Sequence, residues 1–148
     1  MSCDLDEPRS AEPLLCPSAE PTAIGAVVLG VICGSSGASR LRYLAAPLRV
    51  TDEILALSEP VLPDEVMRFA APCVEHACQH FDGTNCRLAA KTATLLSPVN
   101  DTRPRCYLRP RCRWWRQEGD AVCLRCPMVI RRNFAPTPDQ ATAASPKY

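Results

Sequence analysis

The chain has 148 residues, a formal charge of +1, ten cysteines and fifteen prolines, a length that suits one domain with its tails. The near-zero charge hides a division. Residues 1–86 hold five arginines against twelve acids, and residues 87–132 hold eleven Lys or Arg against three acids. The acidic opening lacks the basic and apolar segments of a secretory signal, and the apolar run at residues 23–33 is too short to span a bilayer. These features predict a cytoplasmic chain without a membrane partner.

Residues 1–22 are rich in Pro, Glu, Asp and Ser without apolar periodicity, which predicts a disordered leader containing Cys3 and Cys16. Residues 23–33 are β-branched and small. The Gly34-Ser35-Ser36-Gly37 turn follows, then loose alternation through Leu41, Tyr43 and Ala45. Together they predict a β-hairpin, with Cys33 closing its first strand as a small buried hydrophobe. Thr51 reads as the N-cap of a short helix that Ser58-Glu59-Pro60 interrupts. A second helix is predicted from Pro63, with Val66, Phe69 and Ala70 on one face and Pro72 as its stop. Residues 87–96 predict an amphipathic helix burying Leu88, Thr92, Leu95 and Leu96, with Cys86 at its N-terminus. Residues 134–148 are small, polar and proline-broken, and are expected to be a disordered tail. The whole is an α+β expectation: a single small domain over residues 23–133, a β-hairpin followed by a helical, loop-rich, metal-bound cysteine half.

That second half carries the chemistry. Cys73, Cys78, Cys86, Cys106, Cys112, Cys123 and Cys126 are spaced C-x4-C-x7-C, then nineteen residues, then C-x5-C-x10-C-x2-C. His76 and His80, the two histidines of the chain, lie among the first of them. Reduced intracellular thiols in such density point to a metal. With His80 added, the set Cys73, Cys78, His80, Cys86, Cys106, Cys112, Cys123 and Cys126 would supply two four-coordinate centres. Zinc suits the Cys123-x2-Cys126 knuckle and, at its edge, Cys73-x4-Cys78. An iron–sulfur cluster, for example of the 4Fe–4S kind, suits the irregular spacing and the surplus thiols. Disulfides are the third reading, and compartment weighs against them.

Cys78, His80, Phe81 and Cys86, with the segment Cys112, Arg113, Trp114, Glu118, Gly119, Cys123, Cys126 and Pro127, resemble a group of small cysteine-rich bacterial proteins. The resemblance implies a shared site and brings no activity with it.

Three functions fit this chemistry. In the redox reading, an iron–sulfur protein carries electrons or senses oxidants. Trp114 and Trp115 would screen the cluster, while Arg105, Arg109, Arg111, Arg113 and Arg125 stabilise its charge and draw an acidic partner protein. In the binding reading, a zinc-stapled module grips nucleic acid or an acidic protein through Arg105 to Arg116, with Tyr107, Trp114 and Trp115 stacking on unpaired bases. In the enzymatic reading, a catalytic zinc would use Glu75 or Glu118 as general base. The chain has no glycine-rich phosphate loop and no Ser-His-Asp arrangement, so the expectation leans away from an enzyme.

Overall fold

The computed structural model describes residues 13–34 and 40–146. The fold is α+β in one small domain. Strands β1 (Leu15–Ala19), β2 (Val27–Cys33), β3 (Arg40–Arg49) and β4 (Met67–Pro72) form one antiparallel sheet in the order β1-β4-β2-β3. Helices α1 (Asp52–Ala56), α2 (Pro63–Val66), α3 (Arg87–Leu95), α4 (Arg113–Glu118), α5 (Asp120–Cys123) and α6 (Pro138–Ala144) complete it.

β2 and β3 pair as the expected hairpin, and most of the Gly/Ser turn between them lies outside the described residues. Val27, Val28, Val31 and Ile32 give β2 the stiff, branched side chains that suit a pleated strand. At Gly30 the register shifts, and a Cβ there would stand 2.5 Å from the Arg42 carbonyl oxygen. Only glycine fits so close an approach. Cys33, expected to be buried, is exposed at the strand end.

Thr51 caps α1 as expected, its Oγ1 accepting from the Ile54 amide at 3.2 Å. The next helix is much shorter than its sequence implies. It starts at Pro63 but stops at Val66, and Met67–Pro72 is a strand. β4 is paired on both edges and buried on both faces, so its apolar run has no period that separates it from a buried helix. Met67 and Phe69 pack with Val28 and α1 on one face. Arg68 and Ala70 point the other way, toward the helices.

The leader and tail expectations also change. Leu15–Ala19 is an edge strand, tolerating Pro17 where the register shifts between Cys16 and Ala19. Pro138–Ala144 is a helix, capped by Thr137 Oγ1 on the Gln140 amide while the Gln140 side chain returns to the Thr137 amide. It docks on α3, burying Ala143 with Leu96 and Met128. In α3 the buried residues are Ala89, Thr92 and Ala93, with Leu96 just beyond the helix, and Leu95 is exposed. The buried stripe is thus rotated from the expected one, because α4, α5 and α6 all pack against this helix.

The main core lies between the sheet and the helices, where Leu29, Leu41 and Ala70 meet Ala89, Leu108, Trp114 and Val122. No helix among the described residues is long and apolar enough to cross a membrane.

Candidate metal centre

All nine cysteines among the described residues are free thiols, so the disulfide reading finds no pair there. Cys106, Cys112, Cys123 and Cys126 line one cavity, Cys16, Cys73 and Cys78 line another, and Cys86 is buried in the main core.

In the first group Cys112 and Cys126 are buried and Cys106 and Cys123 half-buried. Cys106, Cys112, Cys123 and Cys126 all line one small apolar cavity of about 20 Å³, together with Trp114, Trp115 and Tyr43. Each thiol arrives by local chain geometry. Cys106 opens a turn that the Arg109 amide closes on Cys106 O at 3.3 Å, while Cys112 is the N-cap residue of α4. Gly119, at φ +67°, ends α4 and lets α5 turn back, which returns Cys123 and then Cys126 to the cavity. A side chain with Cβ rarely adopts that conformation.

Burial pushes the Cys106, Cys112 and Cys123 thiols up, and the nearby Cys126 adds to each. Amides of Leu108 and Trp115 oppose this at Cys106 and Cys112, as does the Arg109 guanidinium at Cys123. Burial also raises Tyr43 strongly, with Cys126 contributing.

Arg68 was not singled out by the sequence and proves central. It is 2% exposed. Its guanidinium donates to Pro17 O at 3.1 and 2.7 Å, to Cys126 O at 2.7 Å, to Val129 O at 2.9 Å, and to Cys126 Sγ at 3.2 Å. No carboxylate pairs with it among the described residues. A thiol sulfur stands where a buried cation ordinarily finds an acid. Burial works to lower its proton affinity, yet the charges of Cys126, Tyr43 and Cys16 hold it above the usual arginine range.

The second group is more open. Cys16, Cys73 and Cys78 line a cavity of about 450 Å³ with His80 and Arg131. Cys86, the N-cap of α3, bridges Phe81 and is buried in the main core, its amide and carbonyl both bound by the Gln117 side chain at 2.8 Å. Cys16 is the residue missed by sequence reasoning, having been assigned to the leader. Its thiol is pushed up to about 12, first by burial, then by the proximity of Cys86, Cys73 and Cys78. Burial raises Cys86 as well, with Cys78 and Cys73 adding to it.

The other predicted residues fall in varied places. His80 is half-buried, and its Nδ1 has no hydrogen-bond partner among the described residues. Burial lowers its pKa, and the cations Lys91, Arg131 and Arg87 lower it further. His76 is exposed and meets the Phe81 ring edge-on. Trp114 and Trp115 border the buried cavity. Arg113 instead turns to the open side, binding Glu75 at 2.8 Å and stacking on Phe81. That pair occupies Glu75, and Glu118 accepts from Gln117, so neither expected general base stands free. Trp114 is 1% exposed and therefore closed to a nucleic-acid base, and the Tyr107 hydroxyl is bound to Val28 O.

As the side chains stand, no group of three or more Cys, His, Asp or Glu among the described residues is arranged to hold a metal ion. No family model, curated protein or solved structure matches the chain.

Proposed function

We propose that the chain binds an iron–sulfur cluster through Cys106, Cys112, Cys123 and Cys126, and serves as a one-electron carrier or oxidant sensor. The observation that carries this reading is the thiol-lined cavity itself. Cys106, Cys112, Cys123 and Cys126 line one cavity that Trp114 and Trp115 border, and four thiolates at irregular sequence spacing suit an iron–sulfur cluster.

The surroundings suit an anionic centre. Four thiolates on iron and sulfide carry net negative charge, and buried Arg68 would be its counter-charge. Trp114 lines the cavity, and its Nε1 is buried without an acceptor among the described residues. A buried donor left unmade costs about 1–3 kcal/mol, and an anionic neighbour would relieve it. Trp114 and Trp115 keep water from the sulfurs, which together with Arg68 sets the potential.

The electron would come from a reduced partner protein, which is oxidised, and leave to an oxidised one. Arg105 and Arg116, exposed on the segments that carry the thiols, favour an acidic surface on that partner. Thiolates of this kind require a reducing compartment, which agrees with a cytoplasmic chain.

Substituting Cys112 or Cys123 by Ser tests the ligand set. Each variant should lose visible absorption and iron from this centre. A variant that kept both would remove its residue from the set. Zinc in place of iron would turn the reading to a zinc-stapled binding module.

A further inference from the structure

The walls of the four-thiol cavity are unequally covered, and the thinner wall is cationic. We infer that the surface over Cys106, Cys123 and Trp115 is the docking face for an acidic redox protein, and that the electron crosses there. The inference rests on the reading of this cavity as a cluster site, and adds where and with what kind of partner it exchanges electrons.

One wall is sealed. Pro17, Leu29, Trp114 and Val122 are buried, and so are Cys112 and Cys126. The lining residues that reach solvent are Tyr43, Cys106, Arg109, Trp115 and Cys123. Hydrogen bonds hold the thinner wall together. The Arg109 amide closes the Cys106 turn, and its guanidinium donates to Pro104 O. The Trp115 indole donates to Asp120 Oδ1 at 3.4 Å, at the start of the helix that carries Cys123. Arg103 pairs with the same carboxylate at 3.3 Å, which ties the chain before Cys106 to α5. Two thiols and one indole therefore share an edge of the protein, while Trp114 stays inside.

The charge around this edge is positive. Arg105 and Arg116 are exposed, and neither has a carboxylate partner among the described residues. Arg40 is drawn in from β3 by donating to Val99 O, on a loop whose Val99 amide donates to Leu124 O at 2.9 Å. Asp120 is already taken up by Arg103 and Trp115. Acids gather instead on α1 and α2, as Asp52, Glu53, Asp64 and Glu65, with α1 on the other face of the sheet. The whole chain carries only +1, so the excess is local. A cationic surface steers an acidic partner to dock where it lies, and here that is beside the two half-buried sulfurs. One electron then leaves the reduced centre for the partner's oxidised centre, and no bond forms or breaks.

Two measurements test the inference. In the first, the loaded full-length protein is reduced and then reoxidised by an anionic probe, the cobalt(III)–EDTA complex, or a cationic one, hexaammineruthenium(III), each taking one electron. Arg105→Glu with Arg116→Glu should slow the anion by about tenfold at low salt and speed the cation, and added salt should erase both changes. Glu53→Lys, a charge change on the other face of the sheet, should leave both rates alone. In the second, the metal-free protein is alkylated with iodoacetate or neutral iodoacetamide and each cysteine is followed by mass spectrometry. Cys106 and Cys123 should react before Cys112 and Cys126, with a preference for the anion that Arg105→Glu removes. A double variant that keeps its iron and exchanges at wild-type rates overturns the inference, as does equal labelling of the four thiols. The reading of the cavity as a cluster site survives either result. A chain without iron defeats both. Should the variants fail to fold, the wild type decides: rising salt must slow the anionic probe and speed the cationic one.

Discussion

Replacing Arg68 by Met removes the guanidinium while keeping most of its apolar volume. The carbonyls of Pro17 and Val129 then lose the guanidinium donor, and Cys126 O keeps only the Val129 amide at 3.1 Å. Each unsatisfied acceptor costs about 1–3 kcal/mol, and breaking a buried charged arrangement costs about 3–5 kcal/mol in all. For a chain of this size that lowers the melting temperature by about 10–15 °C. A second effect belongs to the loaded protein alone. At 3.2 Å from Cys126 Sγ, a unit charge facing the guanidinium is worth about 5 kcal/mol at an effective dielectric of about 20. A metal-bound thiolate has given up part of its charge, which leaves about 2 kcal/mol. Thermal unfolding of wild type and Arg68→Met, each loaded and metal-free, forms a cycle that isolates this extra loss. The loaded protein should lose about 2 kcal/mol more than the metal-free one. Equal losses in the two forms would refute Arg68 as the counter-charge of an anionic centre.

Gly30→Ala drives a Cβ to within 2.5 Å of the Arg42 carbonyl oxygen, so β2 and β3 must part locally. Denaturant titration should show a loss of about 1–3 kcal/mol, and an unchanged midpoint would contradict that geometry. Cys33→Ser, at an exposed strand end, should leave iron content unchanged and stability within about 0.5 kcal/mol. A drop in iron would bring Cys33 into a site. In the metal-free protein, burial raises Cys16 to about 12 and lifts Cys86, Cys106, Cys112 and Cys123 as well. Unfolded thiols ionise near about pH 8.5. Above that pH the folded state keeps protons that the unfolded state gives up. The thiols' contribution to stability is therefore whole below about pH 8.5 and is lost as pH rises toward 12. Urea midpoints from pH 7 to 10.5 should fall at the alkaline end, and a flat profile would contradict the buried, neutral thiols.

Local signals carried a good part of this fold. The β2–β3 hairpin, the Thr51 cap, the Pro63 start and α3 behind Cys86 rest on neighbours in sequence, and all were legible. β4 was not, because a strand buried on both faces has no alternation to read. β1 was not, because five residues with a proline become a strand only by pairing with β4, some fifty residues away in sequence. That hid Cys16, since nothing near it marks a site. Arg68 carried no signal of its own, and only the pairing of β4 on both edges places it in the core. The α6 start was readable in principle: Thr137 and Gln140 form a capping box behind Pro138. Proline-rich, polar composition outweighed that motif. Of the two thiol groups, the first was the more legible, because Cys106, Cys112, Cys123 and Cys126 follow one another along the chain.

The most direct test of the proposed chemistry is metal and sulfide analysis of the anaerobically purified chain, with a visible spectrum of the same sample. An iron–sulfur centre on Cys106, Cys112, Cys123 and Cys126 predicts a brown protein with iron and labile sulfide in comparable amounts. A colourless protein with stoichiometric zinc, or with no metal after reconstitution, would contradict it.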